Sequence, residues 1–130
     1  MNVDVLKSVP FFKGLGRRDF KELAGHTDEL DVRAGTVLCR EGDFGHEFFV
    51  IESGEFEVAK ADGRTATLGP NDFFGEIALL EADRRNATVT AKTDGTVIVM
   101  NRSDFRHLEH DHPEISARVR EAIEQRRVPA

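Results

Sequence analysis

Phe74-Gly75-Glu76-Ile77-Ala78-Leu79-Leu80-Glu81-Ala82-Asp83-Arg84-Arg85-Asn86-Ala87-Thr88-Val89 runs through the middle of this 130-residue chain. A glycine precedes a short apolar segment that predicts one or two turns of helix. A loop with two arginines follows, then a β-type run from Ala87 to Ala91. Such an arrangement suits a small phosphate-bearing ligand. The free N–H groups of a helix N-terminus can donate, and the helix dipole favours an anion there. Gly75 lets the backbone approach closely with no Cβ in the way. Arg85 offers a planar fork of donors that matches phosphate oxygens.

Outward from this stretch, the chain reads helix, then strands, then helix. Arg17 to Gly25 predicts a short helix, with Phe20, Leu23 and Ala24 at helical spacing. From Leu30 to Gly69, short apolar runs are broken by turn signals at Ala34-Gly35, Gly42-Asp43, Ser53-Gly54, Asp62-Gly63 and Gly69-Pro70-Asn71. Phe56 to Lys60 and Ala87 to Ala91 alternate as half-buried strands do. Asp94-Gly95 reads as a hairpin turn between Val89–Lys92 and Thr96–Met100. Past Met100, Ser103 is expected to cap a helix carrying Phe105 and Leu108. Pro113 opens another, with Ile115, Val119, Ala122 and Ile123 on one stripe and Arg126 and Arg127 in the last turn. The expectation is one domain over residues 1–130: mainly β, an antiparallel jelly-roll-like β-roll with an N-terminal helical segment and a C-terminal lid helix.

Composition narrows the function. Formal net charge is −6, so a nucleic-acid backbone or an anionic lipid surface is a poor partner. A negative chain that binds an anion must use a few placed donors. No apolar run approaches the roughly 20 residues needed to span a bilayer, and Met1-Asn2-Val3-Asp4 does not open a secretory signal. The single Cys39 cannot form an intramolecular disulfide and reads as a buried thiol, in keeping with a reducing cytoplasm. His110-Asp111-His112 has an H-x-H spacing but falls between two predicted helices, and His26 and His46 stand alone. No strand-borne metal site and no nucleophile–base arrangement is legible.

The opening Val9-Pro10-Phe11-Phe12-Lys13-Gly14-Leu15, the turn Arg40-Glu41-Gly42-Asp43 and the runs Phe48 to Gly54 and Leu68 to Phe74 join the central stretch in one resemblance. Together they resemble the cyclic nucleotide-binding domain family, including the domains of bacterial cyclic-nucleotide-gated channels and cAMP receptor proteins, from about Val3 to Arg127. Residues 74–89 correspond to its phosphate-binding cassette. Two positions depart from the family pattern. Arg84 stands where proline is usual and is expected to point to solvent, and Asn86 stands where a small residue is usual.

The resemblance implies a cyclic nucleotide ligand, no cofactor and no catalytic residue. Arg85 and the N–H groups of Ala78 and Asn86 would hold the phosphate. Glu76 would accept from the ribose 2′-hydroxyl, or else only complement the helix dipole. Gly75 and Ile77 would offer backbone contacts, and Phe74, Ala87 and Thr88 complete the expected set. Arg126 would cap the base, with Ile123 and Arg127 as rivals. Binding in the family moves the lid and the N-terminal helices relative to the roll, a shift between populations. cAMP is preferred over cGMP because nothing beyond Asn86 looks guanine-specific. An effector protein is the expected partner, the chain itself being a monomer or weak dimer. A stand-alone sensor is expected, a piece of a larger protein being the alternative. The competing readings are a jelly-roll metalloenzyme and a non-binding interaction module.

Overall fold

The computed structural model describes residues 1–76, 79 and 84–126. Helix α1 (Val3–Ser8), a 3₁₀ turn (Pro10–Phe12) and α2 (Arg17–Ala24) lead into eight strands. These are β1 (Asp28–Val32), β2 (Val37–Cys39), β3 (Glu47–Ser53), β4 (Phe56–Lys60), β5 (Thr65–Leu68), β6 (Phe73–Phe74), β7 (Ala87–Ala91) and β8 (Gly95–Asn101). Helices α3 (Arg102–Asp111) and α4 (Pro113–Arg126) follow.

The strands form two antiparallel sheets. Sheet 1 has the order β1-β8-β3-β6 and sheet 2 the order β2-β7-β4-β5. The expected β-roll with flanking helices is therefore present. The turns sit where the sequence puts them, with Gly35, Gly42, Gly54, Gly63 and Asn71 all at positive φ.

One local expectation is overturned. Asp94-Gly95 is no hairpin turn, because β7 pairs with β2 and β4 while β8 pairs with β1 and β3. The chain crosses from one sheet to the other there. Asp94 Oδ1 accepts from the Ala34 N–H at 2.8 Å and ties the corner to the β1–β2 turn. Gly95 runs so close to β3 that a Cβ on it would lie 2.4 Å from the Ser53 carbonyl oxygen. Closing two sheets on a shared core outweighs the local turn preference.

Two cores result. The inner one fills the roll with Val32, Cys39, Phe49, Ile51, Phe56, Phe74, Val89, Ala91 and Val97. The outer one lies between sheet 1 and the helices. It includes Phe48, Val50, Ile98 and Met100 from the strands, and Leu6, Phe11, Leu23, Phe105, Leu108, Ile115, Val119 and Ile123 from the helical segments. Successive side chains of a strand face opposite ways. Hence Phe48 and Val50 enter the outer core while Phe49 and Ile51 enter the inner one, and the continuous apolar run of β3 follows from burial on both faces. Among the described residues sheet 2 is covered on one face only, and β7 alternates buried with half-buried residues.

The helices match their stripes with one shift. Asn101, not Ser103, caps α3: its Oδ1 accepts from the Asp104 N–H at 2.8 Å. Asn101 is also the last residue of β8, opposite Glu47, so the strand passes into the helix without a loop. In α4, Ile115, Val119 and Ile123 are buried, as their spacing predicts, and Ala122 packs at the edge.

Candidate functional site

The described part of the cassette is its two ends, Phe74–Glu76 and Arg84–Val89, with Leu79 between them, and the fold brings the ends together. Gly75 has φ +80°, a conformation that L side chains avoid. Space is equally limiting. A Cβ on Gly75 would stand 2.7 Å from both Arg85 Nη1 and the Glu47 carbonyl oxygen. The Arg85 guanidinium lies against this glycine. Its Nη2 donates to the Glu47 carbonyl at 2.8 Å and its Nη1 to the Gly75 carbonyl at 3.4 Å. A guanidinium carries five N–H donors in one plane, so a fork held this way keeps donors for an anion.

The wall opposite is the β2–β3 turn, which sequence reasoning left out of the site. The Arg85 N–H donates to the Asp43 carbonyl at 2.7 Å, and the Gly42 N–H to the Arg85 carbonyl at 2.9 Å. Thr88 Oγ1 accepts from the Glu41 N–H at 3.1 Å. Gly45 is the missed residue with the clearest role. A Cβ there would fall 2.1 Å from Arg85 Nε. Its φ is not positive, so the glycine is required for space rather than for conformation. The available signal was a second glycine three residues after Gly42, one that the turn itself does not need.

Arg84 is exposed, as expected of the residue replacing proline, yet it is held. Nη1 donates to the Gly42 carbonyl at 2.8 Å, and its Cζ sits 4.3 Å from the ring centroid of Phe44, itself 63% exposed. The stacked pair joins the same two segments that the Arg85 backbone joins.

The remaining expected residues divide. Phe74 is buried in the inner core and stacks on Phe49 with ring centroids 4.8 Å apart. Its ring is structural, which leaves only its backbone for a ligand. Glu76 is half-buried at the start of a turn whose Leu79 N–H donates to the Glu76 carbonyl at 3.0 Å. Asn86 is exposed, and Ala87 is buried at the start of β7. Ile77 and Ala78 lie outside the described residues, as does Arg127. Arg126 ends α4, and its side chain is likewise outside the description. Ile123, one of the rivals for the base, is fully buried in the outer core.

The charges around the site register on Cys39. Burial pushes its thiol up to about 11; Arg85 pulls the other way, while Glu47 and Glu76 push it further up. Cys39 is therefore a neutral buried thiol. A guanidinium seated on a glycine that lets the backbone come close can offer donors to a phosphate.

The fold and site thus define a class: a two-sheet roll in which Gly75 and Arg85, from the segment between β6 and β7, come together. The family model for the cyclic nucleotide-binding domain matches residues 29–112, and the chain belongs to that family. A cyclic nucleotide-gated potassium channel of Rhizobium etli is 36% identical over 126 residues, covering 97% of this chain and 35% of the channel. A cAMP-dependent protein kinase regulatory subunit of Yarrowia lipolytica is 42% identical over 105 residues, covering 79% of this chain and 28% of the subunit. This chain spans about a third of such relatives. Among solved structures, the N-terminal domain of a transcriptional regulator from Streptomyces coelicolor superposes with a TM-score of 0.76 at 29% identity, over 95% of this chain and 90% of that one. A cyclic nucleotide-binding domain from Methylobacillus flagellatus shares the fold, with a TM-score of 0.81 at 21% identity over 95% and 72% of the two chains. No helix among the described residues is long and apolar enough to cross a membrane.

Proposed function

We propose that this cyclic nucleotide-binding domain is a non-catalytic sensor of cAMP that acts on an effector protein. The observation that carries the reading is the Arg85 guanidinium, seated on Gly75 and fastened by the Glu47 and Gly75 carbonyls. A singly charged cyclic phosphate at this fork would meet charge-assisted donors already oriented for it. Glu76, two residues from the buried Phe74, accepts from the ribose hydroxyl. Asn86 follows Arg85 and faces outward, where its amide can donate to the phosphate or its carbonyl accept from a guanine amino group. Only the second contact discriminates guanine, so selectivity is modest, under about tenfold or 1.4 kcal/mol. The end of α4 covers the base.

Transmission has a physical route in this reading. Phe74 is anchored in the inner core, and Leu79, five residues on, is buried in the outer core with the helices. Gly75 and Glu76 lie between the two anchors. A ligand that prefers one arrangement of this short segment thereby biases how the helices pack on sheet 1.

The test is calorimetric titration of the chain with cAMP and with cGMP, on wild type and on Asn86→Ala. The expected result is saturable binding of both, tighter for cAMP, with the ratio altered by the substitution. Binding of neither nucleotide would refute the sensor. A ratio far above ten would refute modest selectivity, and a ratio unchanged in Asn86→Ala would remove that residue from the choice.

A further inference from the structure

Three groups from two segments distant in sequence converge on the helical side of the molecule. His26 lies in the turn between α2 and β1, and Asp104 and His107 lie one turn apart on the same face of α3. His26 Nδ1 is 3.0 Å from Asp104 Oδ1, although 78 positions separate them. The His26 and His107 rings have centroids 6.3 Å apart. One potential ligand atom from each of the three residues lies within 4.8 Å of the other two. We propose that His26, Asp104 and His107 bind a transition-metal dication, Zn²⁺ above all, which joins the α2–β1 turn to α3. The proposal concerns residues outside the cassette and does not depend on the nucleotide reading.

The donor set selects the metal. Two neutral imidazoles and one carboxylate match zinc, which takes nitrogen and oxygen ligands in a tetrahedron and accepts water as the fourth. Mg²⁺ and Ca²⁺ want oxygens throughout and would gain little from two imidazoles. Bonds of 2.0–2.1 Å place tetrahedral ligands about 3.3 Å apart. The His26–Asp104 pair is already that close, so the main adjustment falls on His107. That side chain is exposed and makes no hydrogen bond among the described residues, so its ring is free to turn inward.

The backbones beneath the ligands are fixed. The His26 N–H donates to the Leu23 carbonyl at 3.0 Å. The neighbouring Thr27 hydroxyl donates to the same carbonyl at 2.9 Å. Asp104 sits in the first turn of α3, its N–H capped by Asn101 and its neighbour Phe105 fully buried. A histidine–carboxylate pair alone is an ordinary ion pair. The third ligand, and the rigid seating of the first two, are what make this a metal site.

The experiment uses the full chain after dialysis against a chelator, titrated with Zn²⁺ in a calorimeter and followed in parallel by thermal unfolding. One equivalent of zinc should bind and raise the melting temperature in a concentration-dependent way, because a ligand that prefers the folded state stabilises it by mass action. His107→Gln removes an exposed ligand without touching a core. Losing an outer-shell partner costs about 10–100-fold in metal affinity, and losing a direct ligand should cost at least as much. The double variant His110→Gln/His112→Gln removes the neighbouring histidines and should bind as wild type does. No stoichiometric zinc, undiminished binding by His107→Gln, or binding lost in the His110/His112 variant would each overturn the proposal. Co²⁺ gives an independent readout: wild type should show the visible absorption of a four-coordinate site, and His107→Gln should not.

Discussion

The two cores of this molecule are built differently. The inner one is closed by strands of both sheets and needs no helix: Phe49, Phe56 and Phe74 meet Val89 and Val97 across the roll. The outer one has sheet 1 as its floor and the helical segments from both ends of the chain as its cover. The difference teaches how a closed roll and a helical layer can share one small domain. Strands β3 and β8 belong to both cores, so neither is independent of sheet 1. The cassette belongs to both as well, through Phe74 on one side and Leu79 on the other. The roll frames Arg85, while the helices make their packing contacts in the outer core.

The strongest way to break this comparison is to damage the outer core. Ile123 is fully buried there, near the end of α4. Ile123→Ala is expected to cost about 2–5 kcal/mol, the usual range for emptying a well-packed aliphatic site. Urea denaturation would measure the loss, and the variant should still bind cAMP wherever it remains folded. Removing every residue after Glu121 deletes the same side chain together with the proposed lid, so it should match that stability loss and add faster release of cAMP. If Ile123→Ala abolishes binding while folded, the two cores act as one.

Arg85→Ala addresses the frame. Its guanidinium bonds run to two carbonyls at the rim, not into a core, so thermal stability should change little. Affinity for cAMP should fall by about 1.5–3 kcal/mol, the range for a charge-assisted hydrogen bond, or roughly tenfold to more than a hundredfold. Titration calorimetry decides it: binding within about twofold of wild type removes Arg85 from the site.

These features differ in how far they could be read from residues alone. The turns were legible because positive φ demands glycine or asparagine locally, as at Gly42 and Asn71. The α4 stripe was legible because its period is that of the helix itself. The Asp94-Gly95 crossover was not, because which strands pair is settled across the whole roll and the dipeptide has the same local chemistry in a hairpin. The role of Gly45 was hidden for a related reason: its crowding exists only once Arg85 is laid over it from 40 positions away. In the cassette, the contact of Gly75 with Arg85 was not legible either, because the pattern assigns each to a ligand and not to the other. The ring of Phe74 turned inward because a two-residue strand facing β3 has one side in the roll.

A smaller effect probes the point between the two anchors. If Glu76 accepts from the ribose hydroxyl, Glu76→Gln and a 2′-deoxy ligand delete the same hydrogen bond. Each alone should cost about 1–3 kcal/mol or less. Together they should cost less than their sum, because residues and groups sharing one interaction are not additive. Dissociation constants for the four combinations give the coupling directly. Strict additivity would return Glu76 to a helix-start role.

The prediction that should leave the ligand untouched belongs to sheet 1 beyond either core. Glu52 falls where the β3–β8 register shifts between Ile51 and Ser53. By strand alternation it faces the same side as Glu29 and Asp31 of β1. Burial, then a hydrogen bond with Glu29, then the charges of Glu29 and Asp31 raise the Glu52 carboxyl from 4.5 to about 7. Below about pH 4.5 it is protonated in both the folded and the unfolded chain. Between about 4.5 and about 7 the unfolded carboxyl has lost its proton while the folded one keeps it. The folded state then binds more protons, so stability falls as pH rises through this window and levels off above it. Glu52→Gln should flatten that slope in melting curves recorded across the window, leaving the variant relatively more stable at the alkaline end. Because Glu52 belongs to neither core and lies outside the cassette, its effect on cAMP affinity should be nil. Parallel wild-type and variant curves would show that Glu52 does not titrate with folding, and a change in affinity would mean that sheet 1 transmits farther than its two cores.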